Sequence, residues 1–428
     1  MKVAHISQSD VSGGASRAAY RLHKALCSIG VDSTMLVDNS ITNDWTIQGP
    51  KGQYARLLKK VRPNLVRPVK YLLKTENPAL HSIAALPSTL PKTLNRSSFD
   101  VVNMHWINGE MLSIADIGKI RKPLFWTLHD MWAFCGAEHY TDEDRYCQGY
   151  EPNNRPPYES GMDLNRWTWS RKVKHWKTPI HIITPSQWLG DCARASKLMG
   201  NWPISVIPYA MDTESWEPVR RKLARSILGL PTDVPLLLFG AIGGTADRRK
   251  GFDLLQAALV NLRDEIQGME IVVFGQMRPQ QPIDLGFPVH YAGFLHDDIS
   301  LRLIYSAANA MVIPSRQDNL PNTGLEAQAC GTPVVAFEIG GLPDIVRHQE
   351  TGYLAKAFDT NDLAAGIKWV MANDLSTHSE AVADVQDTED RLFDRGTLAI
   401  NARNRAVARY ANKVVANQYL EIFQGVLE

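Results

Sequence analysis

Cysteine is scarce in this chain, with five in 428 residues, at positions 27, 135, 147, 192 and 330. The number is odd and the positions are scattered, which excludes a disulfide framework and points to a reducing compartment. No run approaches the ~20 apolar residues that a membrane-spanning helix needs. The opening MKVAHISQSDVSGG lacks the apolar core of a secretory signal and runs straight into a strand pattern. A cytoplasmic protein is the expectation. Neither sign of charge is in excess, at 46 Lys and Arg against 45 Asp and Glu. That balance argues against bulk nucleic-acid binding and leaves room only for a local basic patch. The G-x-G-x-x-G dinucleotide fingerprint and the G-x-S-x-G nucleophile turn are both missing, which counts against NAD and serine-hydrolase chemistry. There is no repeat at a solenoid period and no low-complexity tract.

What is present is ordinary globular material, 44% hydrophobic and 21% charged. At ~100–200 residues per domain, the length suggests two or three domains. Short apolar runs alternate with helical patterns. Residues 3–7, 33–38, 99–106, 123–130 and 180–186 read as buried strands. The helix beginning at Ser16 places Ala19, Leu22, Ala25, Leu26 and Ile29 on one face. This βαβα rhythm implies a parallel sheet with helices on both faces. It restarts near the midpoint, with SVIPYAMD at 205–212 leading into strands near 234–242, 269–276, 289–294, 310–315 and 332–338. Two doubly wound α/β domains therefore fit better than one large sheet, with the joint expected within 195–218. In such folds ligands bind beyond the carboxyl ends of the strands, and with two domains the natural site is the cleft between them.

Three segments carry candidate chemistry. Gly13-Gly14 lies between the first strand and first helix, where small residues let backbone approach a ligand and the helix N-terminus favours an anion. Many strand–helix turns use Gly for no other purpose. In GGTADRRKGFDLL (243–255), Arg248, Arg249 and Lys250 follow an apolar strand and precede a helix, where cations can hold a diphosphate. The plain alternative is a solvated loop. PSRQDNLPNTGLEAQACGTPVVAF (314–337) delivers Asp318, Asn319 and Pro321 on a loop, then opens a helix at Asn322-Thr323-Gly324 with Glu326 in its first turn. A carboxylate there can accept a ribose diol, the opening amides can donate to phosphate, and Asp318 can accept from sugar hydroxyls. The plain alternative is a capped helix with a favourably placed acid.

The last segment resembles the E-x7-E region of the retaining glycosyltransferases of family 4, which have the GT-B fold. It matches at Pro314, Ser315, Pro321, Glu326, Ala327, Ala329, Gly331, Pro333, Val334, Val335 and Ala336, and keeps the eight-position spacing from Asp318 to Glu326. It departs at the first acid, Asp318 in place of Glu. Gly13-Gly14 matches the family's first-strand glycine loop. TLHDMW (127–132) matches its strand-end histidine, and Lys250 matches its K-G position. The family's partner arginine is absent at Gly240-Ala241, so Arg249, or else Arg248, must substitute. The TLHDMW and SRQDNLP forms resemble transferases of bacterial exopolysaccharide and colanic-acid-type clusters.

The resemblance implies two Rossmann-like domains facing a cleft, drawn at 1–203 and 204–405, with a helix over 406–428 packing back on the first. It implies transfer of a hexose from a nucleotide-diphosphate sugar to a saccharide or lipid-linked saccharide acceptor with retention, in exopolysaccharide or cell-surface glycan synthesis, without a metal or other cofactor. His129, Asp318, Lys250 and Arg249 would be the catalytic set. Gly13, Gly14, Asn319, Asn322, Thr323, Gly324, Glu326, Gly275 and Phe294 would bind the donor. A non-catalytic sugar-nucleotide-binding or membrane-scaffold protein that keeps the fold is the alternative, with an epimerase or phosphorylase as a weaker third. Cys135, His139 and Cys147 could supply three of four zinc ligands, against the simpler reading of loose thiols in a loop. Residues 51–75 hold eight Lys and Arg and no acid among Leu and Val, interrupted by Pro63 and Pro68. That mix suits an anionic membrane face, which would put the protein at the inner face of the plasma membrane; a solvated helix pair is the alternative. The Trp-rich stretch 166–177 could stack sugars or a lipid headgroup, or simply pack.

Overall fold

The computed structural model describes residues 1–240, 247–281, 284–375 and 396–427. The chain forms two compact units, Met1–Ala210 with Val415–Glu428, and Met211–Val414.

The strands of the first unit are β1 (Lys2–Ser9), β2 (Asp32–Asn39), β3 (Ile47–Gln48), β4 (Leu73–Lys74), β5 (Val101–Met104), β6 (Leu124–Thr127), β7 (Ser160–Gly161), β8 (His181–Thr184) and β9 (Ile204–Val206). Seven form one sheet in the order β3-β2-β1-β5-β6-β8-β9, parallel throughout. β4 and β7 make a separate antiparallel pair. Period-2 alternation sorts the side chains. Val3 joins Leu22, Phe125, Ile183, Val415, Tyr419 and Phe423 on one face. Ala4 and Ile6 join Met104, Trp126, Trp132 and Ile182 on the other. Both faces are covered, as a parallel sheet requires.

The second unit holds β10 (Leu236–Gly240), β11 (Glu270–Phe274), β12 (Val289–Gly293), β13 (Ala310–Ile313), β14 (Val334–Phe337) and β15 (Gly352–Ala355). They form a parallel sheet in the order β12-β11-β10-β13-β14-β15. β10 is buried at every residue. Leu237 and Phe239 pack with Leu255, Ile271, Val312 and Phe337 on one side.

In each sheet the chain runs outward, then returns to the centre and runs the other way. The reversal falls between β1 and β5 in the first sheet and between β10 and β13 in the second. Those are the topological switch points, where a crevice opens beyond the carboxyl ends.

The observed arrangement differs from the sequence reading in particulars. Residues 204–206 pair with β8 and close the first sheet, so the joint follows Ala210 and not residue 203. Hydrophobic pattern identifies a strand but not the sheet it enters. From Val415 onward the C-terminal helix Asn412–Gly425 belongs to the first unit. β3, β4, β7 and β15 had no expected counterpart: three are two residues long, and β15 begins on a glycine. The basic stretch forms two helices, Gln53–Leu65 with Pro63 inside it and Arg67–Lys70 with Pro68 in its first turn.

The C-terminal helix can be tested directly. Phe423 is fully buried, packed edge-on against Phe125 at 4.7 Å between centroids. Phe423→Ala should cost about 3–5 kcal/mol, read as a lower urea midpoint for the first unit. A midpoint within error of the native chain would show that this helix does not complete the core.

Candidate active site

In the second unit the predicted residues gather at the switch point. The turn Arg248–Lys250 follows β10, and Gly251 ends it in the left-handed region at φ 67°. A Cβ there would stand 1.8 Å from the Pro314 carbonyl oxygen. Only glycine allows this turn to press against the end of β13, and that contact sets the cations beside the 315–318 loop. Lys250 Nζ donates to Asp318 Oδ2 at 2.6 Å, and Arg249 Nη1 lies 3.8 Å from Asp318 Oδ1. Arg249 also donates to the Gln317 carbonyl at 3.0 Å and pairs with Asp247 at 3.4 Å. Ser315 Oγ donates to Asp318 Oδ2 at 3.1 Å. Burial pushes the Asp318 carboxyl up, but the Lys250 and Arg249 charges outweigh it and hold the group below the usual carboxylate range. Arg248 is exposed, and of the two arginines it is Arg249 that meets Asp318. Ala241 and residues 243–246 of the glycine-rich stretch lie outside the described residues.

The helix Asn322–Ala329 opens where expected, with Pro321 at its N-cap. Gly324 lets it pack closely: a Cβ there would stand 3.0 Å from Ile345 Cδ1. Glu326 is the fifth helical residue, so it lies in the second turn and not the first. It is 2% exposed, and the Tyr305 hydroxyl donates to its Oε2 at 2.8 Å. Asn319 is buried beside Asp318, while Asn322 and Thr323 open the helix. Gly275 ends β11 at φ 85° and donates its N–H to the Gly293 carbonyl at 2.8 Å, next to half-exposed Phe294. These two lie one and two strands from the switch point, so they form a separate group from the Lys250–Asp318 cluster.

In the first unit Gly13 is the N-cap of the helix Gly14–Ser28, at φ 86°. His129 follows β6, and both its ring nitrogens are engaged. Nε2 lies 3.2 Å from His105 Nδ1, and Nδ1 lies 2.8 Å from the Tyr209 hydroxyl. His105 Nε2 lies in turn 2.9 Å from His5 Nδ1. The three imidazoles therefore form one row across the switch point, His5 in the middle of β1, His105 just past β5 and His129 just past β6. Burial holds His5 and His105 well below the ordinary imidazole value, each further depressed by a neighbouring histidine. Burial lowers His129 to about 4, against a pull upward from Asp130. The sequence reading selected His129 alone. His105, directly after the apolar run of β5, was a usable signal, since a polar side chain ending an apolar strand marks the ligand end of a parallel sheet.

His139 is committed elsewhere, with Nδ1 on Asp130 at 2.6 Å and Nε2 on Ser82 Oγ at 2.8 Å. Cys135 is buried beside the loop carbonyls that hold Lys172. Among the described residues no three His, Cys, Asp or Glu gather as a metal site. Of the Trp-rich stretch, Trp176 donates to the Ile114 carbonyl and Trp169 packs on Tyr150. These two tryptophans serve the first unit's interior.

Comparison with known proteins places these two units. Residues 12–215 match the family model described as Glycosyltransferase Family 4, and residues 237–373 the model described as Glycosyl transferases group 1. The chain has the GT-B fold: it aligns over 100% of its length with sucrose-phosphate synthase from Thermosynechococcus elongatus (19% identity, 99% of that chain, TM-score 0.64). It aligns over 99% with Anabaena HepE in complex with UDP-glucose (15% identity, 100% of that chain, TM-score 0.63). It belongs to the family-4 and group-1 glycosyltransferases that the two models describe. Similar curated relatives are D-inositol 3-phosphate glycosyltransferases. That of Xylanimonas cellulosilytica is 33% identical over 40% of this chain and 43% of its own length. That of Arthrobacter sp. strain FB24 is 25% identical over 82% of this chain and 80% of its own. The chain spans about half the length of the first curated relatives it matches.

Two outcomes follow from the charges. The three imidazoles are protonated in the unfolded chain below ~6.5 but stay neutral when folded. Their depressed values make stability full above that pH and progressively lost as pH falls below it, for His129 down to about 4, by up to about 1.4 kcal/mol per pH unit for each ring. Urea unfolding at pH 7, 6 and 5 should show this slope, and His105→Gln should remove about one ring's share. Asp318 runs at lower pH: its depressed value contributes stability above ~3.9 that is lost as pH falls further. Lys250→Met should remove this contribution and cost about 1–3 kcal/mol at pH 7, less than for a sealed pair because Lys250 reaches solvent. An unchanged acid midpoint in Lys250→Met would sink the assignment.

Proposed function

We propose that the protein transfers a hexose from a nucleotide-diphosphate sugar to a saccharide or lipid-linked saccharide acceptor, with retention of configuration, in exopolysaccharide or cell-surface glycan synthesis. The observation that carries this reading is the pairing of Lys250 and Arg249 with buried Asp318 at the second unit's switch point. Two cations converge there on one carboxylate, at the strand ends where a ligand's charge would be met. A diphosphate would take charge-assisted bonds from the cations, and Asp318 would turn to sugar hydroxyls. Glu326, held by Tyr305, would accept the ribose diol. Donor binding by Asn319, Asn322, Thr323, Gly324, Gly275 and Phe294, and an anion at Gly13-Gly14, belong to the same proposal. HepE, a fold neighbour, was solved with UDP-glucose, which supports this class of donor.

The chemistry asks for stabilisation of an oxocarbenium-like centre and of a departing diphosphate. Lys250 and Arg249 do the second. The reading needs no protein nucleophile and no metal: the leaving phosphate assists attack on the same face. His129 would meet the sugar through its backbone or by giving up its Tyr209 bond, because both ring nitrogens are already bonded within the first unit.

Thermal shift with UDP-, GDP- and ADP-sugars should reveal a stabilising donor, by about 2.7 kcal/mol at 100 times its dissociation constant. Lys250→Ala and Glu326→Ala should lower donor turnover about 100-fold or more with the fold intact. Undiminished turnover in both would remove the site. Donor binding without transfer to any saccharide would favour the non-catalytic alternative.

A membrane-facing role for residues 51–75 is a second part of the proposal. Leu57, Leu65 and Tyr71 are 61%, 60% and 76% exposed, and Lys51, Arg67 and Lys74 are exposed around them. Two other cations turn inward, Lys59 to Asp38 at 2.7 Å and Arg62 to the Glu110 and Leu86 carbonyls. Among the described residues no helix is long and apolar enough to cross a membrane, so attachment here would be peripheral. Vesicles containing phosphatidylglycerol should sediment the protein in low salt and release it in high salt, with about 1 kcal/mol lost per cation removed. Equal binding to neutral vesicles would contradict this.

A further inference from the structure

Three consecutive cations, Arg248, Arg249 and Lys250, share one tight turn after β10, and like charges so close repel one another. Two of them nonetheless converge on Asp318. Asp247 steadies the turn from within, its Oδ1 accepting from the Arg249 N–H at 3.0 Å, but it does not tie the turn to β13. Gly251 lets the turn approach the Pro314 carbonyl; a close approach permits that position and does not fasten it.

Arg316 supplies the fastening. It lies in the loop after β13, between Ser315 and Gln317. Its backbone N–H donates to the Arg249 carbonyl at 2.8 Å, and its Nη1 donates to the Arg248 carbonyl at 3.0 Å. The same guanidinium forks onto Asp253, Nη1 to Oδ1 and Nη2 to Oδ2, both at 2.6 Å. Asp253 stands in the first turn of the helix Phe252–Leu262, which begins after Gly251, where a carboxylate suits the helix dipole. The fork fixes the plane of the guanidinium and hence the direction of its bond to the Arg248 carbonyl. Arg249 reaches the opposite way, to the Gln317 carbonyl. The two loops are thus laced together by one arginine in each direction. The bonds from Arg316 hold the Asp253 carboxyl below the usual carboxylate range. Both side chains reach solvent, at 25% and 62% exposed, so the pair adds little to global stability and its effect is local.

We propose that Arg316 and Asp253 are positioning residues that brace the Arg248–Lys250 turn against the loop after β13, so that Arg249 and Lys250 present their charges together to the diphosphate of the donor. The diphosphate rests on the glycosyltransferase reading; the brace does not. Arg316 is engaged by Asp253 and the Arg248 carbonyl, and it acts through the two cations of the turn.

Inorganic pyrophosphate, titrated calorimetrically into the full chain at low salt, is the first probe. Asp253→Asn makes the surroundings of the turn more positive, so simple attraction would tighten binding. The brace gives the opposite sign: about tenfold weaker binding, as the turn loses a charge-assisted fork. Arg316→Met should weaken binding by a similar factor. The double variant should be no weaker than the weaker single, because the two residues act as one unit. Unchanged or tighter binding in Asp253→Asn overturns the proposal, whether or not the urea midpoint falls. Additive losses would mean that Arg316 meets the phosphate itself, and overturn it equally. Ligand-free crystals give a second readout that needs no phosphate. The native chain should keep Lys250 on Asp318, and Arg316→Met should part them beyond hydrogen-bond reach; an intact contact in that variant refutes the brace. If Arg316→Met fails to fold, Asp253→Asn, a change of equal size at an exposed carboxylate, is read in both assays. If pyrophosphate does not bind the native chain, the diphosphate reading fails while the crystals still judge the brace.

Discussion

One buried carboxylate organises the second unit's site. Asp318 lies almost sealed at the end of β13, where an unpaired charge would be expensive. Lys250 and Arg249, arriving from the end of β10, make that burial tolerable. The pairing depends on backbone as much as on charge, because the turn that carries the cations touches the Pro314 carbonyl through a glycine. Two strands adjacent in space but distant in sequence thereby deliver their loops to one point. The charges are also preorganised, held in place before any ligand arrives. A ligand with phosphates would exchange one anionic partner for another and need not gather scattered side chains.

The first unit treats the ends of its strands differently. Apolar residues fill most of both faces of the sheet, and a polar row of His5, Asn103, His105, Thr127 and His129 crosses β1, β5 and β6 at the switch point. No salt bridge joins these groups to one another. They satisfy one another as neutral donors and acceptors, and burial keeps the imidazoles uncharged. Such a network specifies orientation more than it adds stability, since each member must also be desolvated.

Much of this was legible in the amino-acid sequence. Apolar runs with β-branched residues marked most of the long strands, and the glycine and acid spacing of 314–337 marked the loop and helix after β13. Lys250, Asp318 and Glu326 were named from charge placed between an apolar strand and a helix together with the resemblance of 314–337, against the plain alternatives of a solvated loop and a capped helix. Pairing partners were harder to foresee. Residues 204–206 have the pattern of a strand, but nothing local says that they close the first sheet. His139 and Cys135 looked like ligands in one dimension and prove to be bonded or buried independently. The histidine row was missed because its members are about 100 and 24 residues apart, and only the parallel order β1-β5-β6 aligns them.

The helix that contributes Val415, Tyr419 and Phe423 also bears on how the polypeptide acquires its shape during synthesis. The first 210 residues leave the ribosome with part of one side of their sheet uncovered, and the side chains that complete its cover follow only after the whole intervening unit. The intervening unit has all its strands in one continuous stretch and can close earlier. Native structure is therefore reached out of chain order, and the half-finished leading portion is the state in which a chaperone would find exposed apolar surface to hold.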